Sequence, residues 1–428
     1  MISKPQPNEA YVWVWLPGAA EPVVAGLISR DGEGLAFNYG QSFLERREAI
    51  SIYEPELPLK RGLIPPGPGL AMAGCLRDAM PDAWGRRVIL NRLLGIRGKD
   101  ADIGALDELT YMLESGSDRI GALDFQVSPT DYSPRLARSA TLEDLLGAAE
   151  KVEQGVLLSP DLDQALFHGS SLGGARPKAL IEDKGRKYIA KFSSSTDIYN
   201  VVKAEFIAMR LAAQLGLNVA NVTLAHVLGK DVLLVERFDR VRGAEDWERR
   251  SMVSALTLFG LDEMMARYAS YADFAEIIRH RFTQPKETLR ELFKRLVFNV
   301  LCGNTDDHAR NHAAFWDGKA LTLTPAYDIC PQIRTGNEAT QAMLITGDDR
   351  MSRLVTCISA APQFLLDERS AKKVIQEQIE QLQLAWPGII QEAGLTEIDQ
   401  NLLGRRMFLN PFIFEGTTAD IRATHLAF

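Results

Sequence analysis

The segment between residues 303 and 311 carries polar side chains at a spacing that suits phosphoryl transfer. Asp306 and Asn311 form a D-x-x-x-x-N pattern, and Asp328 follows on the next apolar run. A carboxylate such as Asp306 can accept the proton of an attacking hydroxyl, as in kinase catalytic loops. The oxygens of Asn311 and Asp328 suit a hard cation such as Mg²⁺. We therefore predict a catalytic base at Asp306 and metal ligands at Asn311 and Asp328.

Two regular elements should position this segment. Residues 288–301 repeat apolar side chains with the period of a helix that buries one face, and Gly303 is typical of a helix end. Residues 320–325 alternate like a strand. The polar cluster is thus predicted on a loop between a helix and a hairpin. Asp306 and Asn311 are also common in helix-exit caps and turns, so the spacing alone leaves that alternative open.

A glycine- and serine-rich segment lies upstream. Residues 168–178 read HGSSLGGARPK, and a strand is predicted directly after them. Glycines let backbone N–H groups close around phosphate oxygens. The segment matches neither the P-loop pattern nor the dinucleotide fingerprint, so a surface turn is the alternative.

Charged residues follow in an order typical of a kinase N-terminal lobe. Lys191 ends a short predicted strand, and Glu205 begins a helix predicted from about residue 201 to 215. A buried strand then runs into Glu236. Kinases use a strand lysine and a helix glutamate to position the phosphates of ATP. Ordinary solvated charges are the alternative at each position, but the serial order favours a kinase.

Taken together, these motifs resemble those of the HipA family of serine/threonine kinases, the toxin half of a bacterial toxin–antitoxin pair. The resemblance spans nearly the whole chain, and its specific motifs lie between about residues 165 and 330. They are the segments 171–178, 189–192, 215–219, 235–240, 305–311 and 327–329.

The resemblance implies an α+β, protein-kinase-like, two-lobed core with a mostly helical C-terminal lobe and a small β-rich N-terminal subdomain. We expect that subdomain at residues 1–127 and the kinase core at 140–428. Within the core, the N-terminal lobe should span about 140–240 and the helical lobe about 241–428. A polar linker is predicted between about residues 128 and 139.

The resemblance also implies roles for individual residues. Asp306 would be the base, and Asn311 and Asp328 would hold Mg²⁺. The remaining residues expected at the bound ATP are Ser171, Gly173, Gly174, Ala175, Lys191, Glu236, Phe238 and His308. His308 is also expected to orient the catalytic loop through a side-chain hydrogen bond.

Regulation and partners follow from the same resemblance. Ser171 corresponds to the loop serine that such kinases autophosphorylate, which expels the loop and silences the enzyme; only the resemblance selects it over Ser170. Family members phosphorylate aminoacyl-tRNA synthetases, with glutamate–tRNA ligase as the best known target. A small helix-turn-helix antitoxin, HipB, neutralises them and contacts operator DNA, so DNA binding would be indirect.

The chain departs from the family pattern at Asp307, where glycine is expected. Asp307 therefore competes with Asp306 for the role of base, and the spacing to Asn311 favours Asp306. A small-molecule kinase and a catalytically idle co-repressor module remain alternatives. His308 and His312 lie four residues apart, but the neighbouring Arg310 argues against zinc.

Composition agrees with this interpretation. The 428 residues contain 46% hydrophobic and 24% charged residues, which is ordinary for a globular enzyme. A net charge of −8 argues against an autonomous nucleic-acid binder. The four scattered cysteines indicate neither a zinc site nor a disulfide framework. With no apolar run long enough to span a bilayer, we expect a cytoplasmic protein without a membrane partner.

The first third of the chain has a different pattern. Short predicted strands at residues 11–16, 23–28 and 34–37 are separated by glycine and proline turns, and a helix is predicted around 82–94. Trp13 and Trp15 suit either interface anchors or the core, and the core is the commoner place for strand aromatics.

Overall fold

A computed structural model describes most of the chain. It covers residues 6–95, 102–136, 140–156, 158–159, 161–162, 166, 171–172, 174–243, 246–334, 336–404 and 406–424. Two compact units emerge from the internal packing. The first contains Met1–Thr196, Ala225–Val253 and Phe315–Lys319, and the second contains Asp197–Leu224, Ser254–Ala314 and Ala320–Phe428.

The first unit begins with a four-stranded antiparallel sheet in the order β3-β2-β1-β4. Its strands are β1 (Glu9–Val14), β2 (Val23–Asp31), β3 (Gly34–Tyr39) and β4 (Leu123–Gln126). The three strands predicted in the first third are therefore confirmed. Their β-branched and aromatic residues favour the pleated, half-buried positions of a strand. The fourth strand arrives from beyond residue 120.

Trp13 and Trp15 belong to the core of this sheet region, with exposed fractions of 6% and 4%. Tyr132 packs against both rings, at centroid distances of 5.3 and 5.6 Å. Arg135 donates a hydrogen bond to the Asp124 carboxylate at 2.9 Å. The predicted linker therefore contacts the sheet through the ring of Tyr132 and the guanidinium of Arg135. Its polar composition did not predict these contacts.

The second sheet of this unit has the order β5-β6-β8-β7. Its strands are β5 (Lys178–Asp183), β6 (Arg186–Phe192), β7 (Val222–Val227) and β8 (Lys230–Glu236). Helices α3 (Ala83–Leu94) and α5 (Leu142–Glu153) supply Trp84, Val88 and Leu145 to a shared apolar core with Phe192 and Val232. Burial of this apolar surface is the main force holding helix to sheet.

Shorter elements complete the first unit. They are α1 (Gln41–Leu44), α2 (Gly74–Arg77), α4 (Glu108–Glu114), β9 (Arg240–Arg242) and β10 (Trp247–Arg249), of which β9 and β10 form an antiparallel hairpin.

The second unit is mainly helical. Its helices are α6 (Val201–Gln214), α7 (Ala255–Leu258), α8 (Tyr271–Arg281), α9 (Pro285–Cys302), α10 (Leu354–Ala360), α11 (Glu368–Glu392), α12 (Glu397–Leu403) and α13 (Ala419–Thr424). Short 3₁₀ turns occur at Ala266–Tyr268, Ala309–Asn311, Ala361–Phe364 and Pro411–Phe414. The remaining strands are β11 (Met252–Ser254), β12 (Ala313–Trp316) and β13 (Leu321–Leu323), and only β13 lies wholly within the second unit.

Helix α9 lies at the centre of the second unit. The apolar residues that predicted it are all fully buried: Leu289, Leu292, Phe293, Leu296, Val297 and Val300. Pro285 occupies its first turn, where a missing N–H costs nothing. The predicted helix, its buried face and its end at Gly303 are therefore confirmed.

The predicted domain ranges stay a prediction. The two compact units are a different division of the chain. Helix α6, expected in the N-terminal lobe, belongs to the second unit. Across the part of the chain described, no helix is long and apolar enough to cross a membrane. All four cysteines, Cys75, Cys302, Cys330 and Cys357, are buried, and none of them forms a disulfide.

Candidate active site

The candidate catalytic loop begins where α9 ends. Gly303 has φ +73°, the left-handed conformation that side chains disfavour. A Cβ at this position would come within 2.6 Å of the Met407 carbonyl oxygen, so there is also no room for a side chain. Only glycine fits here, and the chain can then turn sharply from the helix into the loop.

Backbone and amide hydrogen bonds fix the loop that follows. The Asn304 amide donates to Asn299 Oδ1 at 3.1 Å, and both side chains are buried. The N–H of His308 donates to the Asp306 carbonyl at 2.9 Å. Asn311 Nδ2 also donates to that carbonyl, at 3.1 Å. Because this bond uses the amide nitrogen, the Asn311 Oδ1 oxygen is left to act as a ligand.

The two adjacent carboxylates have opposite environments. Asp306 is exposed, whereas Asp307 is buried with 3% exposure. The Tyr271 hydroxyl donates a very short hydrogen bond to Asp307, and His312 Nε2 lies 2.9 Å from the same carboxylate. Asp307 is therefore held inside the second unit, and only Asp306 of the pair can reach a substrate.

The pKa values of the two carboxyl groups are shifted in opposite directions. Partial desolvation raises the pKa of Asp306 above its usual value; His308 opposes this rise, and the charges of Asp328 and Asp307 add to it. Burial also works against ionisation of Asp307, but His312 and the Tyr271 hydroxyl outweigh it and lower its pKa. A raised carboxyl pKa with a neighbouring charge partner is typical of functional sites.

Asp328 is held in a strained conformation beside this loop. Its φ is +59°, which is uncommon for a residue with a side chain. The preceding Tyr327 donates from its hydroxyl to the Arg310 carbonyl at 2.7 Å, and Ala326 bridges to Val219. Such strain persists only where surrounding contacts fix it, and it is concentrated at functional sites.

His308 differs from its predicted orienting role. Its Nδ1 atom is buried and has no hydrogen-bond partner within the described part of the chain. The loop is instead held by the backbone and amide bonds of Asn304 and Asn311. An orphaned ring nitrogen beside Asp306 fits a site that receives a polar ligand.

The predicted ligands suit a magnesium ion. The amide oxygen of Asn311 and the carboxylate of Asp328 are hard oxygen donors, and Mg²⁺ commonly takes one or two protein oxygens together with phosphates and waters. Among the described residues, no group of three or more His, Cys, Asp or Glu side chains has the geometry of a metal site.

In the first unit, two of the residues predicted to bind ATP, Lys191 and Glu236, lie on the second sheet, and Phe238 follows its strand β8. Lys191 on β6 pairs with Lys178 on β5 and Leu233 on β8. Glu236 ends β8 opposite Tyr188 and lies 3.2 Å from Arg186 in a surface ion pair. Phe238 packs edge-on against Phe315 at 6.0 Å.

The glycine- and serine-rich loop is anchored at its end. The Gly174 N–H donates to the Asp82 carboxylate at 2.5 Å, and Arg87 donates to the Ala175 carbonyl at 2.6 Å. Ser171 is buried, and its hydroxyl donates to the Asp118 carbonyl at 3.3 Å. Gly173 and Ser170 lie outside the described residues. The site roles expected for Ser171, Gly174 and Ala175 remain predictions.

A buried charge network lies next to Glu236, and no local sequence pattern indicated it. Arg237 donates to Asp118 at 3.0 Å and to Asp239 at 2.7 Å, and Arg240 contacts both carboxylates at 2.8 and 2.9 Å. Burial opposes ionisation of Asp239, yet the two arginines lower its pKa to about 2. Arg237 and Arg240, on either side of Phe238 in sequence, thus both turn inward to Asp118.

The models of two known protein families match this chain. The model of the HipA-like C-terminal domain matches residues 170–386, about half of the chain, and that of the HipA N-terminal domain matches residues 14–126. The fold is the α+β, protein-kinase-like fold of these proteins. The chain belongs to the HipA family.

Two relatives show how far the sequence has diverged. The serine/threonine-protein kinase toxin HipA of Shewanella oneidensis is 29% identical over 183 residues, which are 37% of this chain and 42% of that protein. The match therefore spans less than half the length of that relative. Y4mE of Sinorhizobium fredii, whose name gives kinase as a provisional assignment, is 27% identical over 74% of this chain and 76% of its own length.

A solved structure supports the fold over nearly the whole chain. It is the HipA toxin–antitoxin complex of Shewanella oneidensis with HipB and its operator DNA. The superposition has a TM-score of 0.70 at 20% identity and covers 97% of this chain and 99% of that chain.

Proposed function

We propose that the chain is an ATP- and Mg²⁺-dependent serine/threonine protein kinase. The observation that carries this proposal is the contrast between Asp306 and Asp307. One carboxylate is exposed beside Asp328, while its neighbour is bonded to Tyr271 and His312. Asp306 is therefore available as the base, and Asp307 acts as a fixed support for the loop.

In this mechanism, the oxygen of the serine or threonine hydroxyl bonds to the γ-phosphorus of ATP while the bond to the β-phosphate oxygen breaks, ADP leaves, and Asp306 accepts the hydroxyl proton. Asn311 and Asp328 would hold Mg²⁺, which would supply positive charge to offset that of the ATP phosphates. Lys191 binds the phosphates, the loop at Ser171, Gly173, Gly174 and Ala175 covers them, and His308 Nδ1 donates or accepts at the same ligand. Glu236 and Phe238 contact the adenine.

The biological role we propose is that of a growth-arresting toxin. The acceptor would be a translation component of the aminoacyl-tRNA synthetase class, and a HipB-like antitoxin would neutralise the kinase and contact DNA. The Shewanella oneidensis HipA complex with HipB and operator DNA supports such a partner. Autophosphorylation at Ser171 would silence the enzyme. Since Ser171 is buried, the loop must leave its contact with Asp118 before the hydroxyl can react.

Intact-mass spectrometry of the purified chain with and without Mg²⁺·ATP tests the chemistry. We expect a gain of one phosphate in the wild type, mapped to Ser171, and no gain in Asp306→Asn. The variant Asp348→Asn serves as a matched control, because Asp348 is an exposed carboxylate of the same unit. Equal phosphate incorporation in Asp306→Asn would overturn the proposal.

A further inference from the structure

The N-terminal end of α3 contacts the glycine- and serine-rich loop through both backbone groups of Gly174. The Gly174 N–H donates to the Asp82 carboxylate at 2.5 Å, and the Gly174 carbonyl accepts from the Trp84 N–H at 3.3 Å. Arg87, on the next turn of α3, donates to the Ala175 carbonyl at 2.6 Å. Three residues of one helix therefore hold two consecutive residues of the loop.

Asp82 binds the loop in place of capping its own helix. It is the N-cap residue of α3, but within the described residues its carboxylate makes no capping hydrogen bond to that helix. An N-cap aspartate usually accepts a hydrogen bond from the second or third N–H of its helix. Here the second N–H, that of Trp84, donates to Gly174. If the loop moves away, rotation of the Asp82 side chain can satisfy this N–H, so α3 is capped in both arrangements.

The hydrogen bonds that α3 makes with the loop are stronger than the contact of Ser171 with Asp118. The Ser171 hydroxyl donates to the Asp118 carbonyl at 3.3 Å, which is long for an O–H···O bond. The carboxylate acceptor makes the bond from Gly174 charge-assisted, and such bonds are roughly twice as strong as neutral ones. Three residues of extended chain span at most about 11 Å, so Ser171 stays close while Gly174 is bound.

We propose that Asp82 and Arg87 are positioning residues that hold the loop against α3 and keep Ser171 buried. Release of Gly174 and Ala175 from α3 is then the step that exposes the Ser171 hydroxyl. This inference rests on the proposed function, because exposure of Ser171 is what its autophosphorylation requires. Asp82, 92 residues before Gly174 in sequence, thereby controls how often the regulatory serine is available.

Thermolysin digestion of the native chain without nucleotide tests this proposal. This protease cleaves on the N-terminal side of leucine, and Leu172 is fully buried, so the bond between Ser171 and Leu172 is cut only when the loop is released. The initial rate of such cleavage follows the population of the open form. Mass spectrometry of the fragments measures the rate at this one bond. The measurement does not depend on kinase activity.

Asp82→Ser should raise this cleavage rate at least about tenfold, because Gly174 loses a charged hydrogen-bond acceptor. Serine can still cap α3, so the helix itself should persist. Asp82→Asn keeps an oxygen acceptor and should be cleaved at an intermediate rate. Asp107→Ser is the matched control, since Asp107 is the N-cap of α4 in the same unit and accepts from the Thr110 N–H of that helix. It should leave the rate unchanged.

Arg87→Gln provides a second, independent test. It removes the donor to the Ala175 carbonyl, and it should raise the cleavage rate in the same direction as Asp82→Ser. Arg92→Gln removes a contact of the same helix with Glu114, away from the loop, and should not raise it.

A purely structural role for these residues would speed cleavage throughout the first unit, so the other fragments of that unit are followed in the same digests. An unchanged rate before Leu172 in both Asp82→Ser and Arg87→Gln, or an equal acceleration across the unit, would contradict the proposal. Selective acceleration before Leu172, in a protein whose wild type gains no phosphate from Mg²⁺·ATP, would refute the kinase function and still support the role of Asp82.

Discussion

Nη1 of Arg237 lies 3.0 Å from Oδ1 of Asp118, although 119 residues separate them in sequence. The contact joins the segment before β4 to the chain just beyond β8, where Glu236 and Phe238 are proposed to meet adenine. Arg240 shares the same carboxylate at 2.8 Å. Asp118 therefore links the first sheet of the first unit to the second through buried charge.

Asp118→Ala should strongly destabilise the protein, because it leaves Arg237 and Arg240 buried with one fewer counter-ion. Breaking one partner of a buried pair commonly costs about 3–5 kcal/mol. Urea unfolding followed by circular dichroism measures the change. Arg186→Ala, which breaks the surface pair with Glu236, is the control and should cost less than about 1 kcal/mol. Similar losses in both variants would contradict the assigned role of Asp118.

Asp239 should make stability depend on pH in the acid range. Its pKa is about 2 in the folded protein, and an unfolded aspartate has a pKa of about 3.9. The stabilisation is therefore complete above about pH 4 and is lost as the pH falls toward 2, because the unfolded chain binds the proton first. Unfolding free energies across this window should fall more steeply in wild type than in Asp239→Asn. Parallel slopes would rule out this source of acid sensitivity.

Exchanging each member of the carboxylate pair for its amide should separate catalysis from stability. Asp306→Asn should lower phosphoryl transfer by about 10²–10⁴-fold with little change in unfolding free energy. Asp307→Asn should lower the unfolding free energy by about 1–3 kcal/mol, because Tyr271 and His312 lose a charged partner. Phosphate incorporation measures the loss of catalysis, and urea unfolding of the same samples measures the loss of stability. A stable but inactive Asp307→Asn protein would instead point to Asp307 as the base.

Gly303→Ala should destabilise the second unit more than Gly260→Ala does. Both glycines have positive φ, at +73° and +66°, so each alanine carries the conformational cost of about 1–2 kcal/mol. Gly260 has open space where a Cβ would stand, whereas Gly303 faces the Met407 carbonyl. The difference in melting temperature between the variants isolates the steric contribution. Equal melting temperatures would mean that Met407 moves aside freely.

Local patterns predicted the elements that depend on neighbours in sequence. The buried face of α9, the end of that helix at Gly303 and the first three strands follow from periodicity and turn residues, so each was predictable. The D-x-x-x-x-N spacing singled out Asp306 and Asn311, whose catalytic and metal-binding roles stay predictions. In these cases the determining residues lie within one or two turns of each other.

Contacts between distant segments were not predictable in this way. The Tyr271 hydroxyl that holds Asp307 comes from 36 residues away, and no local pattern indicates that pairing. The charge network around Asp118 arises only when separate segments fold together. Tyr132 and Arg135 illustrate the same limit, because a polar composition suggested a linker where long-range contacts fix the chain.

The alkylation rates of the four buried thiols would report how often each unit opens transiently. Burial raises the pKa of the Cys302 thiol to about 12, and thiolate is the form that reacts with alkylating reagents. Alkylation in native buffer should therefore proceed only through transient exposure. Cys75 would report on the first unit, and Cys302, Cys330 and Cys357 on the second. Peptide mapping of the alkylation rates would then measure the opening of each unit separately, without any substitution in the chain.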